Sequence, residues 1–466
     1  MINPIVFRAY DIRGDVNVDI TTDLAYKLGF CFAKMHIISD NKVICIGRDG
    51  RLSSNKLYHA LVQGVIDAGG NVISVDLVPS PILYFADIIL APAASIMITG
   101  SHNPKDDNGF KMIVKSSPFF GDQIQDLFNA INSNNYGQSS YDRQAINGNR
   151  NTRIIDIYEQ YINRILDGST IKSSLRIAWD PANGVACKAI ALLANRLPNY
   201  NIIINDRIDG NFPHHHPDPT VPENLTQLIN IVRQESYDCG IAFDGDADRI
   251  GLVTKTGRIV SGDQLLCLFA KEILEQNPGA TIIMDIKSSQ VVFEQIALYG
   301  GRPIMWKSGH SFIKKKMHEI GALFAGELSG HLFFNDRYYG YDDAIYAAIR
   351  LLTLLSKSCY SLDEMLDQLP QAYSTPEIRI PTNSAAIKFL IIDQIKARLT
   401  KNNVSFNDID GIRVSNDLGW WIIRASNTEE AITIRCEASS HDELLTLKSN
   451  IASLLTEFEI SCDLLV

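Results

Sequence analysis

The chain has 466 residues, 46% of them hydrophobic and 21% charged, with a formal net charge of −10. That length exceeds what one compact core usually holds, so several domains are expected. The acidic balance excludes a global field that attracts nucleic acid or anionic lipid, and no run reaches the roughly 18 consecutive apolar residues of a membrane span. The eight cysteines are scattered without a C-x-x-C pair, which argues against a disulfide framework or a thiolate metal site and suits a reducing cytoplasm. The opening MINPIVFRAYDIRG lacks a basic-then-apolar leader pattern, so a protein that is not exported is expected.

FRAYDIRG brings Arg8, Tyr10 and Arg13 close together near the start. KVICIGRDGRLSSNKLYHALVQGVIDAGGNVISVDLV then reads as strand, polar loop, helix and strand. Leu57, Leu61 and Val65 mark the helix at spacing four, and Gly69-Gly70 stops it. Its loop carries Arg48 and Arg51; in an acidic chain such local basic clusters point to anion binding. In SIMITGSHNP a strand ends at Ile98 and Ser101 follows Gly100, placed to project a hydroxyl into a cleft, although the same residues also make ordinary turns. Lys111 follows the Asn108-Gly109 turn signal; beside a metal and other cations its pKa would fall and it could serve as a general base.

Residues 132–152 are polar and read as a linker, followed by a helix-like RIIDIYEQYINRIL. SLRIAWDPANGVACKAIALLANRL with YNIIIND repeats the strand–helix–strand plan. FPHHHPDP, held by prolines and without a second ligand cluster, reads as a rigid surface loop and not a metal site. FDGDADR places Asp244, Asp246 and Asp248 at i, i+2 and i+4 between two apolar runs, three hard oxygen ligands suited to Mg²⁺ or Ca²⁺. An EF-hand is excluded, because loop position six is Arg249 and position twelve is Lys255.

ATIIMDIKSSQVVFEQIALYGG with RPIMWKSGH is the third strand–helix–strand unit. Lys314 to Lys316 read as a solvated helix face. GELSGH brackets Glu327 and Ser329 with glycines, a loop able to grip the vicinal hydroxyls of a sugar, as a plain loop would also look. LPQAYSTPEIRIPT marks a further boundary, and an α+β pattern follows it. There RASNTEEAITIR carries Arg424, Ser426, Asn427, Thr428 and Arg435, a candidate phosphate clamp. The expected architecture is α/β: three tandem related α/β domains with mixed, parallel-rich sheets, over 1–148, 149–254 and 255–370, plus a smaller C-terminal α+β domain over 371–466.

Taken in order, FRAYDIRG, GRDGRLS, TGSHNP, NGFK, DGDADR, MWKSGHSFIKKKM, GELSGH and RASNT cover essentially the whole chain and resemble the α-D-phosphohexomutases, most closely the bacterial phosphomannomutase/phosphoglucomutase branch. The resemblance implies four domains around a central cleft. It implies that Ser101 carries the phosphoryl group and binds Mg²⁺ with Asp244, Asp246 and Asp248, and that Lys111 is the general base with His331 near the reacting end. It further implies that Tyr10, Arg13, Arg249, Lys287 and His310 meet the substrate, and that Glu327, Leu328, Ser329 and Gly330 form the sugar-reading loop. Arg424, Ala425, Ser426, Asn427 and Thr428 would clamp the phosphate that is not reacting. Leu328 stands where the branch commonly has Met, Glu430 where proline is common, and Thr220 where glycine is usual.

The implied activity interconverts hexose 1-phosphate and hexose 6-phosphate, of mannose or glucose, through a 1,6-bisphosphate. Glucose 1,6-bisphosphate would be the activator and small sugar phosphates the only partners of a monomer or weak homodimer. A phosphoglucosamine mutase, a metal-dependent phosphatase and a non-catalytic sugar-phosphate-binding protein are the competing readings. The absence of a GTDGVRG-like opening speaks against the first, and the absence of a G-x-S-x-G elbow speaks against an acyl-transfer serine.

Overall fold

The computed structural model describes residues 2–37, 41–133, 152–382, 385–426, 431–458 and 460. Most of the linker expected over 132–152 lies outside the described residues, as do Asn427, Thr428 and Glu430.

Four sheets follow one another along the chain. In the first, Val43–Arg48 runs parallel to both of its neighbours, Asn71–Leu77 and Ala94–Ile98, and the chain then turns back into antiparallel Asp107–Val114. The second repeats this with Arg176–Asp180 between Tyr200–Ile203 and Cys239–Phe243, followed by antiparallel Ile250–Thr254. The third does so with Thr281–Asp285 between Arg302–Trp306 and Phe324–Gly326, followed by Leu332–Phe334. All three central strands are buried nearly throughout, as strands covered by helices on both faces must be. The predicted helix forms as Ser54–Asp67 and buries Leu57, Leu61 and Val65. The fourth sheet is antiparallel, built on Ile412–Asn416, Gly419–Ala425 and Ala431–Ala438.

The helix expected from Arg153 begins only at Tyr158. Thr152–Ile154 instead extends the first sheet, pairing parallel with Val72 to Ser74. The Asp156 carboxylate accepts the Tyr158 amide at 3.0 Å, which starts the helix after the strand has ended.

One apolar core runs through the first three sheets, from Met97 through Trp179 and Phe243 to Phe324 and Tyr346. The fourth sheet closes its own core with Ile395, Ile423 and Leu447, and meets the third through Ile286, Trp420 and Ile422. No described helix is long and apolar enough to cross a membrane.

Candidate active site

The loop that joins the third strand of each repeat to its antiparallel partner faces one shared cavity of about 610 Å³. These are the loop with Ser101, the loop from Asp244 to Arg249, and the loop from Glu327 to His331. Arg424, Ser426 and Glu377 reach the same cavity from the fourth sheet and the segment before it. Strand ends of α/β sheets are where ligands bind, and three repeats packed together bring three such edges to one place.

Ser101 is buried and adopts a left-handed φ of 50°. Its amide donates to Thr99 Oγ1 (2.8 Å) and its hydroxyl donates to Asp244 Oδ2 (2.8 Å). The His102 Nδ1 stands 3.2 Å from the same hydroxyl. Asp244, Asp246 and Asp248 are fully buried. Asp244 Oδ1 accepts the amides of Asp248 and Arg249, which winds the loop around that carboxylate. Asp246 Oδ2 accepts Ser80 Oγ (2.5 Å) and Lys111 Nζ (2.7 Å), and Asp248 Oδ2 accepts Lys111 Nζ (2.5 Å).

Burial and its two neighbouring carboxylates push Asp244 well above the ordinary range. Burial would do the same to Asp246, but the Lys111 ammonium outweighs it and holds that carboxyl below its usual value. Lys111 answers in kind. Burial disfavours its charge, yet Asp246 and Asp248 win and hold its pKa well above that of an ordinary lysine. The lowered pKa expected from the sequence is that of a lysine beside a bound metal; without a cation the nearest charges are carboxylates, and they act in the opposite direction.

The donor oxygens of Asp244, Asp246 and Asp248 lie within 4.8 Å of one another. Asp246 Oδ1 and Asp248 Oδ1 are buried without a hydrogen-bond partner. Unpaired carboxylate oxygens converging in a dry site fit a hard divalent cation such as Mg²⁺. Asp248, His331 and Asp342 form a second compact group, but it does not fit a metal. Arg249 Nε donates to His331 Nε2 at 3.0 Å, so the ring proton sits on Nδ1, the atom that would have to ligate. That Nδ1 instead lies 3.2 Å from Asp342 Oδ2.

Asp342 is a hub that the sequence did not reveal. Its Oδ1 accepts Lys314 Nζ (2.7 Å), and its Oδ2 lies 3.3 Å from His310 Nδ1. Lys314 is thus drawn inward from the lysine run expected to be solvated, while Lys315 stays 62% exposed. The His310 and His331 rings stack at 5.7 Å, and the Tyr10 ring meets His310 edge-on at 5.5 Å. Burial and the Lys314 charge bring His310 down to about 4, so it is neutral at pH 7.

Glu327 is buried, with Oε1 accepting the Gly309 amide (2.7 Å) and Oε2 unpartnered; burial raises its pKa. Leu328 donates its amide to Asp285 Oδ1 (3.3 Å). Gly330 has φ 89°, and a Cβ there would meet the Ile250 carbonyl at 2.5 Å, so the glycine lets this loop dock on the strand leaving the aspartate loop. Lys287 pairs with Glu377 (2.9 Å) and Arg424 with Asp410 (2.9 Å). Arg13 is held between Asp11 (2.6 Å) and Asn103 (2.7 Å). Ser329 lines the cavity, and Ala425 ends its strand just before Ser426.

Three basic residues serve purposes other than the expected anion binding. Arg48 pairs with Asp76 (2.8 Å). Arg51 is 2% exposed and spends its guanidinium on backbone carbonyls. Arg435 is tied to Asp263 (3.1 Å) and to the Lys287 carbonyl. His215 of the triple-histidine loop pairs with buried Asp180 (2.9 Å), in keeping with a structural loop.

Family models for the three α/β/α domains and the C-terminal domain of phosphoglucomutase/phosphomannomutase match residues 4–137, 158–257, 261–373 and 377–454. A phosphomannomutase/phosphoglucomutase of Pseudomonas aeruginosa is 42% identical over 444 residues, 95% of this chain and 94% of that protein. A phosphoglucomutase of Neisseria meningitidis is 40% identical over 451 residues, 97% of this chain and 96% of that one. The crystal structure of a phosphoglucomutase/phosphomannomutase family protein from Burkholderia thailandensis superposes with a TM-score of 0.88 at 37% identity, covering 98% of both chains. The chain therefore belongs to the phosphoglucomutase/phosphomannomutase family of α-D-phosphohexomutases, enzymes that carry out intramolecular phosphoryl transfer on hexose phosphates.

Proposed function

We propose that this enzyme interconverts the 1- and 6-phosphates of mannose, glucose or both, with Ser101 as phosphoryl carrier and a hexose 1,6-bisphosphate as intermediate. The observation that carries this reading is the convergence of the buried Ser101 hydroxyl, the aspartate loop, the Glu327 loop and Arg424 on one cavity. A phosphatase needs only the first two.

In this reading residues 1–148, 149–254, 255–370 and 371–466 are the four domains. Asp244, Asp246, Asp248 and Ser101 would hold Mg²⁺, which when bound offsets negative charge on the transferring group. The free hydroxyl of the sugar attacks the phosphorus on Ser101, the bond from phosphorus to Oγ breaks, and the new ester forms on the sugar. The hydroxyl proton passes to Lys111 or His331. Lys111 can accept it only after releasing its own proton to solvent, which a cation held by Asp246 and Asp248 would favour. His331 Nε2 accepts the Arg249 Nε–H, so it takes the proton only where that contact opens, with Asp342 Oδ2 3.2 Å from its Nδ1.

The bisphosphate turns over, and its other phosphate returns to Ser101 Oγ. Glu327 and Ser329 are the acceptors that orient sugar hydroxyls, on the backbone set by Leu328 and Gly330. Tyr10, Arg13, Arg249, Lys287 and His310 line the path. Arg424, Ala425, Ser426, Asn427 and Thr428 hold the distal phosphate, so both ends of one sugar meet the same clamp.

Phosphorus NMR tests this with Mg²⁺, a trace of glucose 1,6-bisphosphate as activator, and mannose 1-phosphate or glucose 1-phosphate in separate tubes. Conversion of both to the 6-phosphates at rates within about tenfold is the result of a dual mutase. Release of inorganic phosphate, or no change in either tube, would sink the proposal.

A further inference from the structure

The motif GRDGRLS is left over once the cavity is assigned, because Arg51 faces away from any ligand and into the backbone of the Ser101 loop. Its Nη2 donates to the carbonyls of Ser101 (2.7 Å) and Asn103 (2.7 Å), and its Nη1 to those of Pro104 (2.5 Å) and Asp107 (2.9 Å). Four carbonyls spread over seven residues thus converge on one planar fork, a geometry that an ammonium cannot match. Asp49 completes the grip from the opposite polarity. Its Oδ2 accepts the Gly100 amide (3.1 Å) and lies 3.2 Å from Arg51 Nε, while Oδ1 accepts the Arg51 amide (3.0 Å). The guanidinium sits against Gly100, where a Cβ would come within 2.4 Å of Nε and 2.5 Å of Cζ.

The clamp is also held from outside. The Phe212 ring, on a loop of the second domain, covers the Arg51 guanidinium at 5.3 Å. Gly210 of that loop sits so close to the backbone of Arg51 and Leu52 that a Cβ would meet the Leu52 amide nitrogen at 2.6 Å. The Ser101 loop and the domain that carries the aspartates are therefore fastened to one guanidinium.

The geometry points to Arg51 as a positioning residue: it fixes the Ser101 loop, in its left-handed conformation, where the hydroxyl meets the aspartates. This rests on Ser101 as the phosphoryl carrier. A left-handed serine is disfavoured and needs its surroundings to impose it. In a phosphoryl transfer a misplacement of about 1 Å costs roughly 100-fold in rate.

The test is Arg51→Lys, run beside Ser101→Ala. Arg51→Lys is expected to lower kcat about 100-fold while KM for the hexose phosphate stays within about threefold, because no phosphate-facing group has changed. A kcat within about threefold of the parent overturns the inference. So does a KM about tenfold higher at unchanged kcat, which would make Arg51 an anion-binding residue. A fully active Ser101→Ala sinks the carrier reading and this inference with it, whereas an inactive Ser101→Ala beside an unimpaired Arg51→Lys sinks this inference alone. If Arg51→Lys does not fold, hydrogen exchange of the parent decides. The amides of Gly100, Ser101, Asn103 and Asp107 must be protected, and exchange at the rate of free peptide overturns the proposal.

Discussion

At the centre of the cavity one ammonium faces three buried carboxylates. Lys111 pairs with two of them, while burial and the neighbouring carboxylates raise the Asp244 pKa against the pull of Arg249 and Lys111. A divalent cation held there would stabilise the carboxylates that Lys111 pairs with, so each would cover for the other. Replacing Lys111 by Met should cost about 3–5 kcal/mol of cation-free stability, the usual cost of leaving a buried charge without its partner. Mg²⁺ should restore much of it, so its effect on the melting temperature should be several-fold larger for Lys111→Met than for the parent. Equal Mg²⁺ shifts in the two proteins would show that the lysine and the cation do not share these ligands. The aspartates themselves were readable from their alternation in FDGDADR, since spacing alone converges them. Asp342 and Lys314 were not. KKK reads as a solvated face, and only the fold of the third domain brings Lys314 onto the buried Asp342 carboxylate.

Three hairpin loops present different side chains from the same slot. SHNPKD, DGDADR and ELSGH share no spacing, so their equivalence was hidden in the sequence, although the strand–helix–strand repeats on which they stand were plain. A fainter signal was present: the central strand of each repeat ends in or just before an aspartate, Asp49, Asp180 and Asp285, and two of these reach across to hold the neighbouring loop, through Gly100 and Leu328. The helix Ala344–Lys357 shows how an element start can become pH-sensitive. Asp343 caps it by accepting the Tyr346 amide (2.8 Å), and Tyr161 and Tyr338 donate to the same carboxylate (both 2.9 Å). Burial nevertheless raises its pKa to about 6. A raised carboxyl pKa means that the fold prefers the protonated form, so the stability from this group is complete below the unfolded value near 3.8 and is lost as the pH climbs through 6. The change is at most roughly 3 kcal/mol. Asn also caps helices and cannot titrate. The stability of the parent relative to Asp343→Asn should therefore decline between about pH 4 and 6.5 and level off above that, and parallel melting curves across that range would refute the assignment.

At the scale of the whole molecule, the first three sheets share a continuous core, while the fourth has its own and is joined to the third by a small apolar contact and a set of polar ties. The largest of these is Arg413. Its Nη1 donates to the carbonyls of Ile286 (2.5 Å) and Ser288 (3.0 Å), and its guanidinium stacks on Trp420 at 3.7 Å. Those two carbonyls flank Lys287, whose side chain is itself shared with Glu377. The fourth domain is thereby seated on the loop that faces the substrate. If Arg424 and Ser426 clamp the distal phosphate as proposed, the clamp works only while the domain is seated, because binding from both ends of the sugar depends on a fixed span. Charge-assisted hydrogen bonds contribute about 1.5–3 kcal/mol each, so Arg413→Ala should shift the docking of this domain by about 3 kcal/mol, roughly 100-fold in the docked ratio. The apolar core of the other three does not include Arg413 and should melt as before. Small-angle scattering should then show a larger radius of gyration for Arg413→Ala without substrate, and KM should rise about tenfold or more as substrate binding spends free energy on closing the domain. Scattering and KM both indistinguishable from the parent would mean that the apolar contact of Ile286, Trp420 and Ile422 seats the domain without help from the arginine.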